Sequence, residues 1–457
     1  GWTLREAFAS SGAAAARLAR VSEGQGVVVT TGQQPGLFGG PLYTLAKAIS
    51  ALALADELER ATGIPTAPVF WAATDDTDFA EGARIALPVA SGTRIAQLTD
   101  APDQSVMMSA ARVGDVAAAL EALRVACGGG AWAEVARVAS GAYAAQDATV
   151  GGAYVALLRA VLQPLGIAVL DAAHPDVRRA AHPWLRRALA DAGAIDEAVR
   201  ERTDALRARG LDPQVEPVDD RALVFTVRDG VRTRVSVAGA HALLERVADD
   251  ALSPNVLLRP VIERVLLPTT AYVAGPGELA YFAQVGAVAD LLDVPMPLAV
   301  PRTSVRVTTA PVAATLARHG LDADALRRAH AAESMLARAA TPDAAVDALA
   351  SLRASVRATA TTLGTAGSRL APHVIDGAVA QLAHRIDRLE RRLLAASKRA
   401  LDGELAAVAA ARQQLWPDGA PQERAVGWLP WLARHGPPFV HALRTCCDEA
   451  MRPLVHG

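Results

Sequence analysis

Aromatic side chains make up only 4% of the 457 residues, and there are just three cysteines, Cys127, Cys446 and Cys447. With so few rings, the core must be built mainly from Ala, Leu and Val. So small and odd a cysteine count in a long chain excludes a disulfide framework and points to a reducing cytoplasm. Cysteines and histidines alike lack metal-ligand spacing, and adjacent Cys446-Cys447 is a poor chelate, so no zinc-type centre is expected. The formal net charge is −2, with no excess of positive charge to hold nucleic acid or an anionic membrane. No apolar run reaches the roughly 18 residues of a membrane span. The first residues lack a charged segment followed by an apolar stretch, so no secretory leader is expected. Neither a GxxxxGK[ST] phosphate loop nor a GxSxG nucleophile elbow occurs. These absences leave a globular protein whose partners are small molecules.

Hydrophobic residues account for 51% and charged ones for 21%, enough for a sizeable core in two or three domains. The most informative segment is VVVTTGQQPGLFGGPLYTLAKAIS, residues Val27–Ser50. Its β-branched start suits a buried strand over Val27–Thr31. Gly32, Gly36, Gly39 and Gly40 allow close backbone approach, and Pro41 fits the first turn of a helix running to Arg60. Free N–H groups at that helix start would favour an anion, with Lys47 two turns in. The plain alternative is a βα turn that only changes direction. Against it stands the pair Gln33-Gln34, because two long amides in a tight turn need partners.

Further along, strands at Val69–Ala73 and Gly166–Asp171 alternate with helices at Ala117–Val125, Trp132–Tyr143 and Gly151–Leu162. Such alternation predicts a parallel sheet with right-handed crossovers. Leu223–Arg228 and Val231–Val237 flank Asp229-Gly230, a hairpin signal, within an insertion spanning about residues 95–250. A helix over Val256–Leu267, a strand over Thr270–Ala274, a tight loop at Gly275–Glu278 and a helix over Leu279–Leu292 complete an α/β core ending near residue 308. From 309 to 416 the pattern is helical. Val346, Leu349, Val356 and Leu363 form one stripe. Val379, Leu382, Ile386, Leu389 and Leu393 form another, resumed by Leu401, Leu405 and Val408 after a one-residue phase shift. The second stripe predicts a coiled-coil seam of roughly five heptads projecting about 55 Å. An antiparallel helix pair that packs against its mate in a homodimer is the expected use. Residues 417–457 are expected to return to the core.

In an open α/β sheet, ligands bind beyond the carboxyl ends of the strands. Three such ends carry suggestive residues: Gly32–Gly40, the run Thr74–Asp78, and Gly275-Pro276-Gly277-Glu278. Asp75, Asp76 and Asp78 suit magnesium binding, general-base activation of an amine, or hydrogen bonding to hydroxyls. They equally suit a helix N-cap before Phe79. Glu278 opens a helix carrying Tyr281, or merely complements the helix dipole. Asn255 and Arg259 lie one turn apart. Arg259 could clamp a carboxylate or phosphate, or form a surface ion pair with Glu263. Tyr43 and Arg302 are further candidates at the same end of the sheet.

TGQQPGLFGGPLYTLAKAIS (Thr31–Ser50) closely resembles the signature of the bacillithiol biosynthesis cysteine-adding enzymes, the BshC family. The resemblance continues at PVFWAATDDTDFAEG (Pro68–Gly82), SPNVLLRPVIERVLLPTTAYVAGPGELAYFAQ (Ser253–Gln284), MPLAVPRTSV (Met296–Val305) and GAPQERAVGWLPWLARHGP (Gly419–Pro437). It covers nearly the whole chain in the family's order. One departure stands out. The family reads Glu-Asp-His-Asp-Phe where this chain has Asp75 for the Glu and Thr77 for the His. The resemblance implies a Rossmann-like core with connecting insertions and a coiled-coil arm. It also implies a ligase that joins the carboxyl group of cysteine to the amino group of glucosaminyl-malate. Carboxylate and amine do not condense unaided in water, so ATP-dependent activation is expected, with magnesium as a candidate companion. On this view Asp75, Asp76, Asp78 and Glu278 are catalytic candidates. Gln33, Gln34, Gly36, Tyr43, Lys47, Asn255, Arg259, Gly275, Gly277, Tyr281 and Arg302 are binding candidates. Gln422, Glu423 and Arg424 mark a candidate second nucleotide pocket. The competing readings are another amide-forming or nucleotidyl-transferring enzyme on the same scaffold, and a non-catalytic coiled-coil assembly protein.

Overall fold

The computed structural model describes residues 4–130, 132–246, 251–365 and 371–456. Its strands, in chain order, are β1 (Val27–Gln33), β2 (Thr66–Ala72), β3 (Arg84–Val89), β4 (Gly92–Gln97), β5 (Ala168–Asp171), β6 (Val224–Arg228), β7 (Val231–Arg234), β8 (Leu252–Pro254), β9 (Thr269–Ala274) and β10 (Leu298–Pro301). Five of them form one sheet in the order β10-β9-β1-β2-β5, every neighbouring pair parallel. The chain lays down β1, β2 and β5 in one direction, then returns to add β9 and β10 on the other side of β1. The order therefore reverses between β1 and β9, which is where an α/β sheet opens a crevice. The central strands are apolar on both faces, as a sheet covered by helices requires: β2 (TAPVFWA) is buried along its whole length.

The helix Leu42–Thr62 is buried from Leu42 to Ala55 except at Tyr43, which is half-buried, and packs against the C-terminal helix Pro437–His456. On the opposite face, Phe8, Ala14 and Val21 from the N-terminal helices close over Val28, Val69 and Leu170. The hairpin signal at Asp229-Gly230 becomes β6–β7, joined by β8 into a three-stranded antiparallel sheet. Residues 247–250 of the expected insertion lie outside the described residues. Two helices, Pro175–Ala190 and Ala192–Ala208, had no clear signature in the sequence. Both are rich in Ala and Arg, so their apolar stripe is thin. The helix expected over Val256–Leu267 is shorter, Arg259–Leu266, because the Asn255 side chain accepts from Leu257 and Leu258 N–H and turns the chain first.

Residues group into two compact units. One holds Gly1–Val89, Arg94–Val305 and Glu423–Gly457; the other holds Ala90–Thr93 and Arg306–Gln422. In the second unit, helices Asp343–Thr365 and Pro372–Ala400 run antiparallel. Arg353 donates to Asp387 and Glu390 (2.6 Å each), while Thr341 meets Ser397 at 3.0 Å. The expected rod does not run unbroken to Val408. The helix ends at Leu401 (φ −109°, ψ 16°) and a new one spans Asp402–Leu415. The one-residue phase shift in the leucine pattern marks this break: a stripe that slips by a residue cannot stay on one face of a straight helix. Among the described residues, no helix is long and apolar enough to cross a membrane.

Candidate active site

The crevice at the β1/β9 switch is a cleft of about 390 Å³, within the first unit. It brings together Gln33, Gln34, Tyr43 and Lys47 from the β1 region and Asp75 and Asp76 from the end of β2. Asn255, Arg259, Gly275, Gly277, Glu278, Tyr281 and Arg302 come from residues 255–302, and Arg424 from the C-terminal segment. The polar ends of segments far apart in the chain therefore surround one pocket.

Its floor is a buried charged network. Lys47 Nζ donates to Gly32 O (2.8 Å) and Gln33 Oε1 (2.9 Å) and pairs with Glu278 Oε2 at 2.5 Å. Three acceptors and no donor surround it, so it is an ammonium. Burial pushes Lys47 down from its ordinary value while Glu278 works against that shift. Glu278 also accepts from Gly275 N–H (2.6 Å) and the Tyr272 hydroxyl (2.7 Å). Burial opposes its ionisation, but Lys47 and these donors outweigh it and hold the carboxyl below its usual range. Arg259 donates to Glu263 (2.8 Å), Tyr272 (3.0 Å) and Tyr281 (3.3 Å). The Arg259–Glu263 pair foreseen at the surface is thus buried, with the Glu263 side chain only 2% exposed. Thr30, across from Tyr272 in the β1–β9 register, donates to the same Glu263.

The wall at the end of β2 is acidic. Asp75 is buried and accepts from Ser253 Oγ at 2.8 Å, while Arg232 of β7 donates to its main-chain oxygen at 2.8 Å. Asp76 lines the cleft, and its Oδ1 accepts from Asp78 N–H at 2.8 Å. Burial raises the Asp76 pKa, helped by Asp75 and Asp78 and opposed by the Asp78 N–H and Arg232. Asp78 instead caps the helix Phe79–Gly82, accepting from Glu81 N–H, and lies outside the cleft lining. Glu81 lines the cleft and accepts from Gln34 Nε2 at 2.8 Å. The three aspartates do not converge on one point, and no group of three or more His, Cys, Asp or Glu among the described residues could hold a metal ion.

Several expected ligand groups prove to be engaged within the protein. The glycine-rich loop is pinned from behind rather than open. Tyr143 Oη accepts from Phe38 N–H, the Trp428 indole donates to Gly39 O, and Gly36 is absent from the cleft lining. Gly39 sits at φ +89°, where an added Cβ would meet the Trp428 ring at 2.4 Å. The N–H of Leu42, the first residue of the following helix, donates to Val426 O at 2.8 Å and is not free for an anion. Arg302 forks onto Glu423 (2.7 and 2.8 Å), which also accepts from Val305 N–H. Gln422 belongs to the other unit, where it bonds to Val307 and Gln414. The polar Gln422–Arg424 run is therefore largely spent on internal bonds, and only Arg424 reaches the cleft.

Residue-by-residue reasoning overlooked Glu81, Arg232 and Tyr272. Glu81 had a weak signal as the last acid of the Asp-rich run. Tyr272 sits in a strand pattern that says nothing of its hydroxyl, and Arg232 arrives only through the fold of the hairpin.

A family model described as bacillithiol biosynthesis BshC, N-terminal Rossmann-like domain, matches residues 3–303. A second, the C-terminal coiled-coil domain of BshC, matches residues 348–451. The chain is 33% identical over 450 residues to a candidate cysteine ligase BshC of Solibacter usitatus, covering 92% of this chain and 82% of the relative. It is 30% identical to the protein of the same name in Heliobacterium modesticaldum, covering 95% and 83%. The corresponding Salinibacter ruber protein is 31% identical, with 92% and 81% covered.

Proposed function

The chain belongs to the bacillithiol biosynthesis BshC family, and from that premise we propose that it is a ligase forming a carbon–nitrogen bond between the carboxyl group of cysteine and the amino group of glucosaminyl-malate. The observation that carries this reading is the two-signed cleft. The carboxylates of Asp76 and Glu81 line it together with the cations Arg259 and Arg424, so that a zwitterionic amino acid and an amine bearing carboxylates can be held side by side. A cysteine carboxylate must first be activated, and ATP supplies that leaving group as an acyl-adenylate or acyl-phosphate. The sugar nitrogen then attacks the activated carbonyl carbon. The C–N bond forms, the bond to the AMP or phosphate oxygen breaks, and the nitrogen loses a proton. Asp76 is the acceptor of that proton: it lines the cleft, and its raised pKa brings it closer to that of an amine than an ordinary carboxylate. Magnesium, if it accompanies ATP, would be held by one or two carboxylates such as Asp76 together with the phosphates and would offset their charge, and no step is routed through it.

The test is direct. Purified protein is incubated with cysteine, glucosaminyl-malate and ATP, and the product is identified by mass spectrometry. Bacillithiol together with AMP or ADP is the expected result. An amide formed only with another amino acid would transfer the reading to a different ligase on the same scaffold. No amide from any supplied pair would overturn it.

We propose further that the protein works in the cytoplasm as a homodimer, with a second copy covering the leucine stripe of the helical unit. Ile386 is 5% exposed in the antiparallel pair, but Leu382 is 47% and Leu389 52% exposed. One partner helix thus covers only part of the seam that the sequence encodes. Light scattering is expected to give a dimer mass for the wild type and a monomer mass for Leu382→Glu/Leu389→Glu. A monomeric wild type would refute this assembly.

A further inference from the structure

The floor and the acidic wall of the cleft are joined by two glutamines in succession. Lys47 donates to Gln33 Oε1, Gln33 Nε2 donates to Gln34 Oε1 (2.8 Å), and Gln34 Nε2 donates to Glu81 Oε2 (2.8 Å). The direction of this chain is forced. An ammonium can only donate, so Gln33 must turn its oxygen towards Lys47 and its NH₂ outwards. That NH₂ obliges Gln34 to present its oxygen inwards and its own NH₂ to Glu81. Swapping the oxygen and nitrogen of either amide would set donor against donor or oxygen against oxygen. The arrangement therefore follows from chemistry and not from how the amides are drawn.

We propose that Gln33 and Gln34 form a one-way hydrogen-bond relay that pre-orients Glu81 to receive the α-ammonium group of the amino-acid substrate. The inference rests on the ligase reading above and assigns Glu81 a part in substrate selection. With its Oε2 held by Gln34, Glu81 has Oε1 left for a ligand. Arg424 from the C-terminal segment acts on it electrostatically but makes no ion pair with it among the described residues. Burial raises the Glu81 pKa, helped by Asp78 and Asp76 from its own loop, and the Tyr43 hydroxyl feels the charge of Glu81 in turn. A cation is what this position lacks. The acyl donor also requires one there, because a free α-amine on activated cysteine would attack a second activated cysteine. Burial and the neighbouring aspartates raise the Glu81 pKa, while Arg424 and the N–H donated by Gln34 oppose that shift. An α-ammonium group placed on the free oxygen would oppose it further, so that carboxylate and ammonium hold each other charged and the amine stays harmless. Gln33 and Gln34 are thus positioning residues, and Glu81 is the group that touches substrate.

The test compares cysteine with 3-mercaptopropionate, which has the same carboxyl and thiol groups but no amine. Calorimetric binding and steady-state kinetics are measured on the wild type, Glu81→Gln and Gln33→Glu. Glu81→Gln is expected to weaken cysteine roughly 10- to 100-fold, the scale of a lost charged hydrogen bond, with KM for glucosaminyl-malate unchanged. The preference for cysteine over the analogue should collapse with it. Gln33→Glu keeps an acceptor for Lys47 but removes the donor to Gln34. Gln34 must then reverse and turn its oxygen on Glu81, raising the Glu81 pKa. Its cysteine affinity should fall roughly tenfold near neutrality and recover as pH rises, a pH dependence that mere loosening of the loop does not produce. An unchanged preference in Glu81→Gln, or a pH-independent loss for both substrates in Gln33→Glu, would overturn the relay. A wild type that binds cysteine but ligates nothing would overturn the ligase reading alone. One that neither binds nor ligates cysteine would overturn both.

Discussion

Asp76→Asn is expected to lower kcat for amide formation by about 100-fold or more, the usual range for loss of a general base. The amide keeps the shape and the acceptor for Asp78 N–H, but it takes no proton from the sugar ammonium. The same substitution should stabilise the fold near neutral pH. Burial, seconded by Asp75 and Asp78, raises the Asp76 pKa above its unfolded value, so the native state resists its ionisation. That cost is present in full above the folded pKa. It shrinks as pH falls through that value and is gone below the ordinary carboxylate range. Asparagine removes it at neutral pH and leaves little to remove in acid. Thermal melts of the two proteins should therefore differ most at neutral and alkaline pH and converge on acidification. The acid limb of the wild-type rate profile should lie above that of an ordinary aspartate and disappear in the variant. A variant less stable at every pH, with kcat retained, would rule out this role for Asp76.

Much of this site could be read from the chain because two signals coincide in it. Strand ends announce themselves by β-branched runs that stop at Gly, Pro or Asp, and the parallel order brings those ends to one edge. That logic points to Gln34, Asp76 and Glu278, and all three line the cleft. What a side chain does with its hydrogen bonds was less legible. Lys47 reads as a cation awaiting an anionic ligand, yet its three donors are all taken by the protein. Arg302 reads the same way, and Glu423, more than a hundred residues later, occupies it. Periodicity reports which face is buried and not which polar partner waits there. Arg232 shows the limit most plainly. It enters the cleft from an antiparallel hairpin whose placement depends on tertiary packing, and nothing in its neighbourhood of the sequence marks it as special. The helical unit shows the reverse case. Its register slip at Leu401 was visible as a broken stripe, and the structure turns it into a helix end.

Lys47→Met should be the most destabilising single change at the site, because it strands a charge. The Lys47 side chain is 3% exposed and that of Glu278 17%. Removing one member of a buried pair typically costs about 3–5 kcal/mol, most of it from the uncompensated partner. In the wild type, Glu278 titrates below its ordinary value. Its contribution to stability is present above the unfolded carboxylate pKa and is lost as pH falls through the folded one. Without Lys47, burial wins and the Glu278 pKa rises above its unfolded value. The sign of the dependence then reverses, and the variant should gain stability as the pH is lowered from neutrality towards 5. Tyr272 and Gly275 still donate to the carboxylate, which keeps the loss nearer the lower end of the range. Adding Glu278→Gln to Lys47→Met removes the stranded charge and should recover a good part of the stability at neutral pH, while activity stays lost. Urea unfolding of the first unit at two pH values, followed by tryptophan fluorescence, reads all of this. If the double variant were no more stable than Lys47→Met, and neither depended on pH, Lys47 and Glu278 would be packing side chains and not the ionised pair on which the relay to Glu81 depends.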